Sequence, residues 1–393
     1  MSHVSLDDLL EACRPGGASV LTSVTPLEPA AGSHASVAPA KFLRGSSPVF
    51  AFERRYVDGK PVEVALLDSK QSQGNRLEAA VSAAVADGDP VLSSLPRIEL
   101  RFEDGPTYSD LDLPHRAFDG QIRAGTIGGR PATDHPDYRA LRDATPSHAR
   151  ALLERSPMTL ILGGWDASRR SHQGRYRSIL VGEIIGVLAD QDTSGPDQIS
   201  MRGGARIDPL GAQIKLSDKA IKLIADQQKS ELTKKTYDSA VKNKKASTLG
   251  LGGIAPSLDQ LGGVSCREII RSHVLSFAAL RSLRFDCETT EGNVACRALL
   301  AALALNGLAR SDAELLLRAN CDLVESEPAR VTLDKRYGEK AAFKALTIDQ
   351  AQELLSAALE HARTTAGVAW DGSVLAVTGN PEILRAAEDT RDE

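Results

Sequence analysis

Two spacings of apolar residues organise the chain. Short runs rich in β-branched or aromatic residues, bounded by Gly, Pro, Asp or Ser, predict strands at "PVFAFERRYV" (48–57), "VEVALLD" (62–68), "RIELRFE" (97–103), "MTLILGG" (158–164), "RSILVGEIIGVLA" (177–189) and "VLSFAALRSLRF" (274–285). Helical spacing follows some of them. Leu77, Val81, Ala84 and Val85 fall at i, i+4, i+7 and i+8, and "VACRALLAALALNGLA" (294–309) and "TIDQAQELLSAALEHARTTAG" (347–367) repeat that period. Between the strands lie long polar insertions at about 104–150 and 190–260, the second carrying a lysine run and the Gly-rich "TLGLGGIAPSLDQLGG". Insertions of that length in a compact core usually carry function or move. The pattern is that of a mixed α and β protein without an internal repeat or low-complexity tract.

Composition narrows the class. A chain of 393 residues, 42% hydrophobic and 25% charged, can bury a substantial core as one elaborated domain or two to three smaller ones. No apolar run reads as the roughly 20 residues needed to span a bilayer, and "MSHVSLDDLLEACRPGG" has acids where a signal peptide has bases, so a cytoplasmic protein without a membrane partner is expected. Cys13, Cys266, Cys287, Cys296 and Cys321 include no Cys-x-x-Cys pair and read as reduced packing residues. The net charge of -5 argues mildly against a nucleic-acid partner, but its distribution matters more. From Lys215 to Lys245 nine lysines face four acids, and from Trp165 to Arg177 four arginines face Asp166 alone, while acids collect in the tail "AAEDTRDE".

Signatures of common enzymes are missing: no phosphate-binding Gly-x-x-x-x-Gly-Lys-Ser/Thr, no Gly-x-Gly-x-x-Gly, no His-Glu-x-x-His, no Gly-x-Ser-x-Gly, and no His at ligand spacing from another His or Cys. Neither a cofactor nor a metal is expected. In "LLDSKQSQGNRLEAA" (66–80) a strand should end at Asp68 and a helix begin near Asn75, leaving Ser69–Gly74 as a connection with Ser72 or Asn75 as cap. Such a segment is either an ordinary capped loop or, with Lys70, Gln71, Ser72, Asn75 and Arg76 at a helix start, a site for phosphate oxygens. "LILGGWDASRRSHQGRYRS" interleaves arginines with Trp165 and Tyr176, which suits single-stranded nucleic acid and equally a solvated loop with one packing Trp. "DLPHRAFDGQIRAGTIGGR" sets His115, Arg116, Arg123 and Arg130 in a Gly-rich insertion, and Lys242, Lys244 and Lys245 lead into "ASTLGLGGIAPS" as a basic stem before a Gly-rich tip.

Taken in order, "LLDSKQSQGNRLEAA", "HRAFDGQIR", "LILGGWDASR", "LGLGGIAPS" and "VSCREIIRSHVLSFAALRSLRF" resemble the backbone subunit of CRISPR surveillance complexes, the Cas-seven family, in its type I-G (I-U) branch of the RAMP superfamily. The resemblance spans 66–285, and Asp68 to Arg76 is its most specific part; the family carries Ala where this chain has Gly74 and Asn where it has Gly253. It implies an α+β fold, a single palm over 1–393 built on an RNA-recognition-motif-like (ferredoxin-like) antiparallel sheet, with a finger insertion at 104–150, a thumb at 190–260 and a disordered acidic tail at 384–393. It implies a non-catalytic subunit that polymerises head to tail along a CRISPR RNA, meets target DNA through the guide and contacts other Cascade subunits, with no cofactor or metal. The RNA would lie against Lys41, Ser69, Lys70, Gln71, Ser72, Asn75 and Arg76, against His115 and Arg116, against Trp165, Arg169, Arg170 and Arg175, and against Lys242, Lys244 and Lys245. Two rivals remain: a RAMP-type endoribonuclease cutting target or precursor guide RNA with Asp119 or His115, and a nucleotide-binding enzyme, disfavoured by the missing phosphate loop.

Overall fold

The computed structural model describes the chain except 1, 58, 104, 172, 193–198, 205–215, 252–256 and 386–393, and the side chains at 57, 202, 257, 259 and 260. The described residues divide into two compact units, 1–198 with 263–379 and 199–262 with 380–393. Lys215, Gly253 and most of the acidic tail lie outside the described residues.

The first unit is built on an eight-stranded antiparallel sheet. Its strands are β1 (Val20–Pro29), β2 (Phe52–Val57), β3 (Lys60–Asp68), β4 (Leu180–Leu188), β5 (Cys266–Ser276), β6 (Leu323–Glu325), β7 (Arg330–Arg336) and β8 (Glu339–Phe343). They lie in the order β8-β7-β1-β5-β4-β3-β2, with β6 paired to β1 beside β7. Helix α1 (Leu6–Cys13) precedes β1, α2 (Lys70–Ala86) follows β3, α3 (Thr290–Ala313) follows β5, and α4 (Ile348–Ala366) follows β8. The fold is α+β, as expected. Strands β1, β4, β5 and β7 with α2 and α3 run β-α-β-β-α-β in the spatial order 4-1-3-2, and the β2-β3 hairpin is inserted before the first crossover helix.

One face of this sheet is sealed by helices. Leu21, Ser23, Thr25 and Leu27 of β1 lie opposite Leu275, His273, Arg271 and Ile269 of β5, and all eight are buried. Gly182 of β4 is opposite His273, and a Cβ there would stand 2.0 Å from the imidazole, so only glycine leaves room for the ring. Burial, and then the Arg271 charge, push His273 down to about 3, leaving it neutral. Helix α2 packs on β4 and on α3, and α3 packs on α1 and α4. By length and composition α3 could cross a membrane, but 89% of its apolar window is buried, so it is a core helix; the run is longer than the sequence reading allowed.

Two local expectations change. "MTLILGG" forms a helix, Pro157–Leu162, begun by a proline in its first turn, in place of a strand. "VLSFAALRSLRF" leaves β5 at Ser276, whose hydroxyl accepts the Ala279 N–H and caps the short helix Phe277–Arg281. The segment 104–150 contains short strands that join Arg97–Arg101 and Val374–Thr378 in a second sheet, the pairing of those two being parallel. Ile199–Gly204 pairs with Ser257–Val264, and in the second unit helices Asp218–Gln227 and Lys234–Asn243 pack on each other.

Candidate nucleic-acid interface

The stretch after β3 is not a loop. Ser69 caps α2 by accepting the Ser72 N–H at 3.2 Å, so the helix begins at Lys70, five residues earlier than its apolar periodicity indicates. The cause is Asp68, whose carboxylate is fully buried at the strand end. It accepts from Ser72 Oγ (2.9 Å), Gln73 Nε2 (2.6 Å), Arg76 Nε (3.0 Å) and Arg318 Nη2 (2.7 Å). Burial alone would raise this carboxyl, but the donors, Arg76 foremost, outweigh it and hold the group below the usual carboxylate range. Ser72 and Arg76 therefore face inward, and Arg76 also donates to the Leu316 carbonyl. Lys70, Gln71 and Asn75 occupy the exposed side of the same two turns. The Lys70 charge reaches Glu183 of β4, whose carboxyl is lowered first by hydrogen bonds from Arg55 (2.6 and 3.1 Å) and secondarily by Lys70.

Gly74 lies within this helix, where a Cβ would meet only Leu162 Cδ2 at 4.0 Å. Gly74→Ala is expected to stabilise the protein by about 0.5–1 kcal/mol, since glycine costs that much in a helix interior. Thermal melts of the two proteins check this; a lower melting temperature in the variant would contradict the helical assignment at 70–74.

Arg116 joins three of the sequence motifs. Its guanidinium spans both carboxylate oxygens of Glu78 on α2, Nη2 to Oε2 at 2.9 Å, and Nη1 donates to the Gly163 carbonyl at 3.0 Å. Both partners in the ion pair are nearly buried. Gly163 has φ of +87°, and a Cβ there would stand 2.8 Å from the Tyr176 carbonyl oxygen, so the turn needs glycine. Beside it, Gly164 and Trp165 pair with Tyr176 and Arg175, and Phe118 stacks on Tyr176 at 6.1 Å. The helix start, the 115–123 segment and the Gly-Gly-Trp turn are thus one fixed assembly.

The cations divide sharply between those committed to carboxylates and those left outside. Arg116 is a clamp, Arg169 donates to the Arg142 carbonyl (2.6 Å) and pairs with Asp143, and buried Asp166 holds Arg142 at 2.7 Å. Trp165 is 51% exposed with the Arg175 guanidinium 4.7 Å over its ring, and Arg170 and Arg177 are exposed with no ion pair among the described residues. His115 is exposed. Asp119 is 4% exposed and serves as a cap, accepting the N–H groups of His115 (3.2 Å) and Gln121 (2.9 Å). Lys41 is exposed on a separate hairpin, Lys41–Arg44 with Ser47–Phe50.

In the second unit Lys242 lies 3.9 Å from Asp238, Lys244 closes its helix with φ of +52° and pairs with Asp218 at 2.7 Å, and Lys245 is exposed. No group of three His, Cys, Asp or Glu able to hold a metal occurs among the described residues. Sequence reasoning missed Arg318 and Arg142, which fix Asp68 and Asp166; no local signal marks either, because Arg318 is 250 residues and Arg142 24 residues from its partner.

The curated proteins offer no match to this chain. Residues 21–191, which include all three clamped motifs, match the family described as CRISPR-associated protein GSU0053, and the match indicates a CRISPR-associated protein.

Proposed function

We infer that the protein is a non-catalytic, RNA-binding backbone subunit of a type I CRISPR surveillance complex, polymerising along the CRISPR RNA and presenting it for pairing with target DNA. The observation that carries this reading is the Arg116 clamp, which fixes three motifs while leaving Lys70, Trp165, Arg170 and Arg175 exposed around it. A rigid scaffold with outward cations and one exposed aromatic suits a backbone whose bases differ from guide to guide. The 4-1-3-2 strand order supports the RNA-recognition-motif-like palm, and the compact unit at 199–262 supports a thumb within 190–260. The acidic balance fits as well, since only the RNA groove needs positive charge.

The clamp chemistry separates two residues that sequence alone would pair. Lys70→Ala is expected to weaken binding equally for unrelated RNAs and to make the salt dependence shallower by about 0.7 in log K per log salt, the value of one single-strand phosphate contact, with an unchanged melting temperature. Arg76→Ala should instead lower the melting temperature, because it uncovers Asp68. Fluorescence anisotropy across a salt series together with melting curves checks both, and a Lys70→Ala titration indistinguishable from wild type would remove the phosphate contact. For the nuclease rival, Asp119→Ala should cost about 1 kcal/mol of stability by loss of a cap. Incubated RNA should run intact on a denaturing gel with either protein; cleavage by the native chain that disappears in the variant would favour the enzyme.

A further inference from the structure

Two of the five thiols meet at the start of α3, using none of the clamp residues. Cys287 Sγ lies 3.9 Å from Cys296 Sγ and 3.6 Å from the Phe285 carbonyl oxygen. Cys296 is fully buried in the second turn of α3, whereas Cys287 is only partly buried, in the turn that leads into that helix. Nine residues separate them, so no Cys-x-x-Cys signal marks the pair.

The local sequence explains the contact. Thr289 caps α3 by accepting the Gly292 N–H at 3.0 Å, which brings the incoming chain over the first turn. Gly292 and Cys296 are four residues apart and share a helix face. A Cβ at Gly292 would stand 2.9 Å from Cys287 Cβ and 3.2 Å from its Sγ, so glycine lets Cys287 lie on that face beside Cys296. The turn is also held from outside. Phe285 N–H donates to Asn293 Oδ1 (2.9 Å), Arg284 N–H to the Pro146 carbonyl (2.8 Å) and Ala149 N–H to the Arg284 carbonyl (2.8 Å), while Asp286 pairs with His148.

The two thiols differ chemically. Burial, and then the neighbouring Cys287, push the Cys296 thiol up, so it stays protonated. Arg150, fixed by Glu154 and by the Ala366 and Gly367 carbonyls, is close enough for its charge to act on both sulfurs. Cys287 has the solvent access that an incoming oxidant needs.

We propose that Cys287 and Cys296 form a reversible redox site, closed into an intramolecular disulfide by a small disulfide such as oxidised glutathione. The Cys287 thiolate attacks one sulfur of the oxidant, breaks its S–S bond and releases one thiolate, which takes up the proton that Cys287 gave up. Cys296 then loses its proton and attacks Cys287 Sγ, and the second small thiol leaves with that proton. Two protein thiols are oxidised and one small disulfide is reduced to two thiols. The sulfurs close from 3.9 Å to a bond of about 2.05 Å, which ties the 285–289 turn covalently to α3. Cysteine pairs of this kind in a reducing compartment act as transient sensors. The site is independent of the RNA reading.

The test equilibrates the full-length native chain with graded ratios of reduced and oxidised glutathione, alkylates free thiols in denaturant and maps the peptides by mass spectrometry. The expected result is a Cys287–Cys296 crosslink, lighter by two hydrogen atoms, that grows with the oxidised fraction and reverts to free thiols in dithiothreitol. Cys296→Ser should stop at glutathione bound to Cys287, and Cys287→Ser should leave Cys296 unmodified. The native chain decides the matter even where a variant folds poorly. Both thiols still free in oxidised glutathione alone, glutathione on Cys287 that never resolves into the crosslink, or a crosslink that forms only in denaturant would each overturn the proposal.

Discussion

Asp68→Ala should lower the stability of the protein by about 3 kcal/mol, the low end of what removing one partner of a buried ion pair costs. The residue sits where β3 becomes α2, and its carboxylate is fully buried while Arg76 and Arg318 are 23% and 27% exposed. Deleting it leaves both guanidinium groups without their carboxylate and frees the two side-chain donors of Ser72 and Gln73. Partial water access to the arginines keeps the loss from being larger. For a unit of this size the melting temperature should fall by roughly 4–5 °C. The pH dependence has a definite sign. A carboxyl held below its unfolded value of about 3.9 contributes its stability above that value and loses it as pH falls through the lower folded value. The difference between native and variant should therefore be constant from neutrality to about pH 5 and shrink below about pH 4. A gap that grew on acidification, or no gap at pH 7, would refute the buried hub.

The second large effect concerns binding alone. Trp165→Ala should reduce affinity for single-stranded RNA by roughly 5- to 150-fold, which is the about 1–3 kcal/mol of one base stacked on an aromatic ring. The ring is half exposed with the Arg175 guanidinium over its face, so its removal should leave the stability within about 0.5 kcal/mol of native. Trp165→Phe should retain most of the affinity, and the loss should be the same for RNAs of unrelated sequence. Loss of one sequence only would mean direct base readout. An unchanged affinity in Trp165→Ala would mean that the ring is a packing residue.

Much of this architecture could be read in the sequence, and the failures have physical causes. The strands at 52–57, 62–68, 97–101 and 180–188 announce themselves because β-branched residues alternate or run together. β1 does not: its buried face alternates Leu21, Ser23, Thr25, Leu27, and the two hydroxyl residues face buried Arg271 and His273, so the hydrophobic period disappears. The start of α2 was hidden for a related reason. Its first two turns are polar because their inward side chains satisfy a carboxylate instead of filling a core. The basic residues of the candidate site were all visible as types; which of them face outward was not. Arg76, Arg116 and Arg169 are consumed by carboxylates and carbonyls, whereas Lys70, Arg170 and Arg175 are not, and that division depends on partners as far away as the Leu316 carbonyl that accepts from Arg76.

The central claim, that the chain coats RNA without reading its sequence or cutting it, is tested most directly by titrating it with labelled single-stranded RNAs of graded length and unrelated sequence. The RNA is then recovered and run on a denaturing gel. The account predicts affinities that ignore sequence, binding that rises in steps as each added length admits another copy, and RNA recovered whole. Cleaved RNA, sequence-dependent affinity, or no binding at low salt would contradict it.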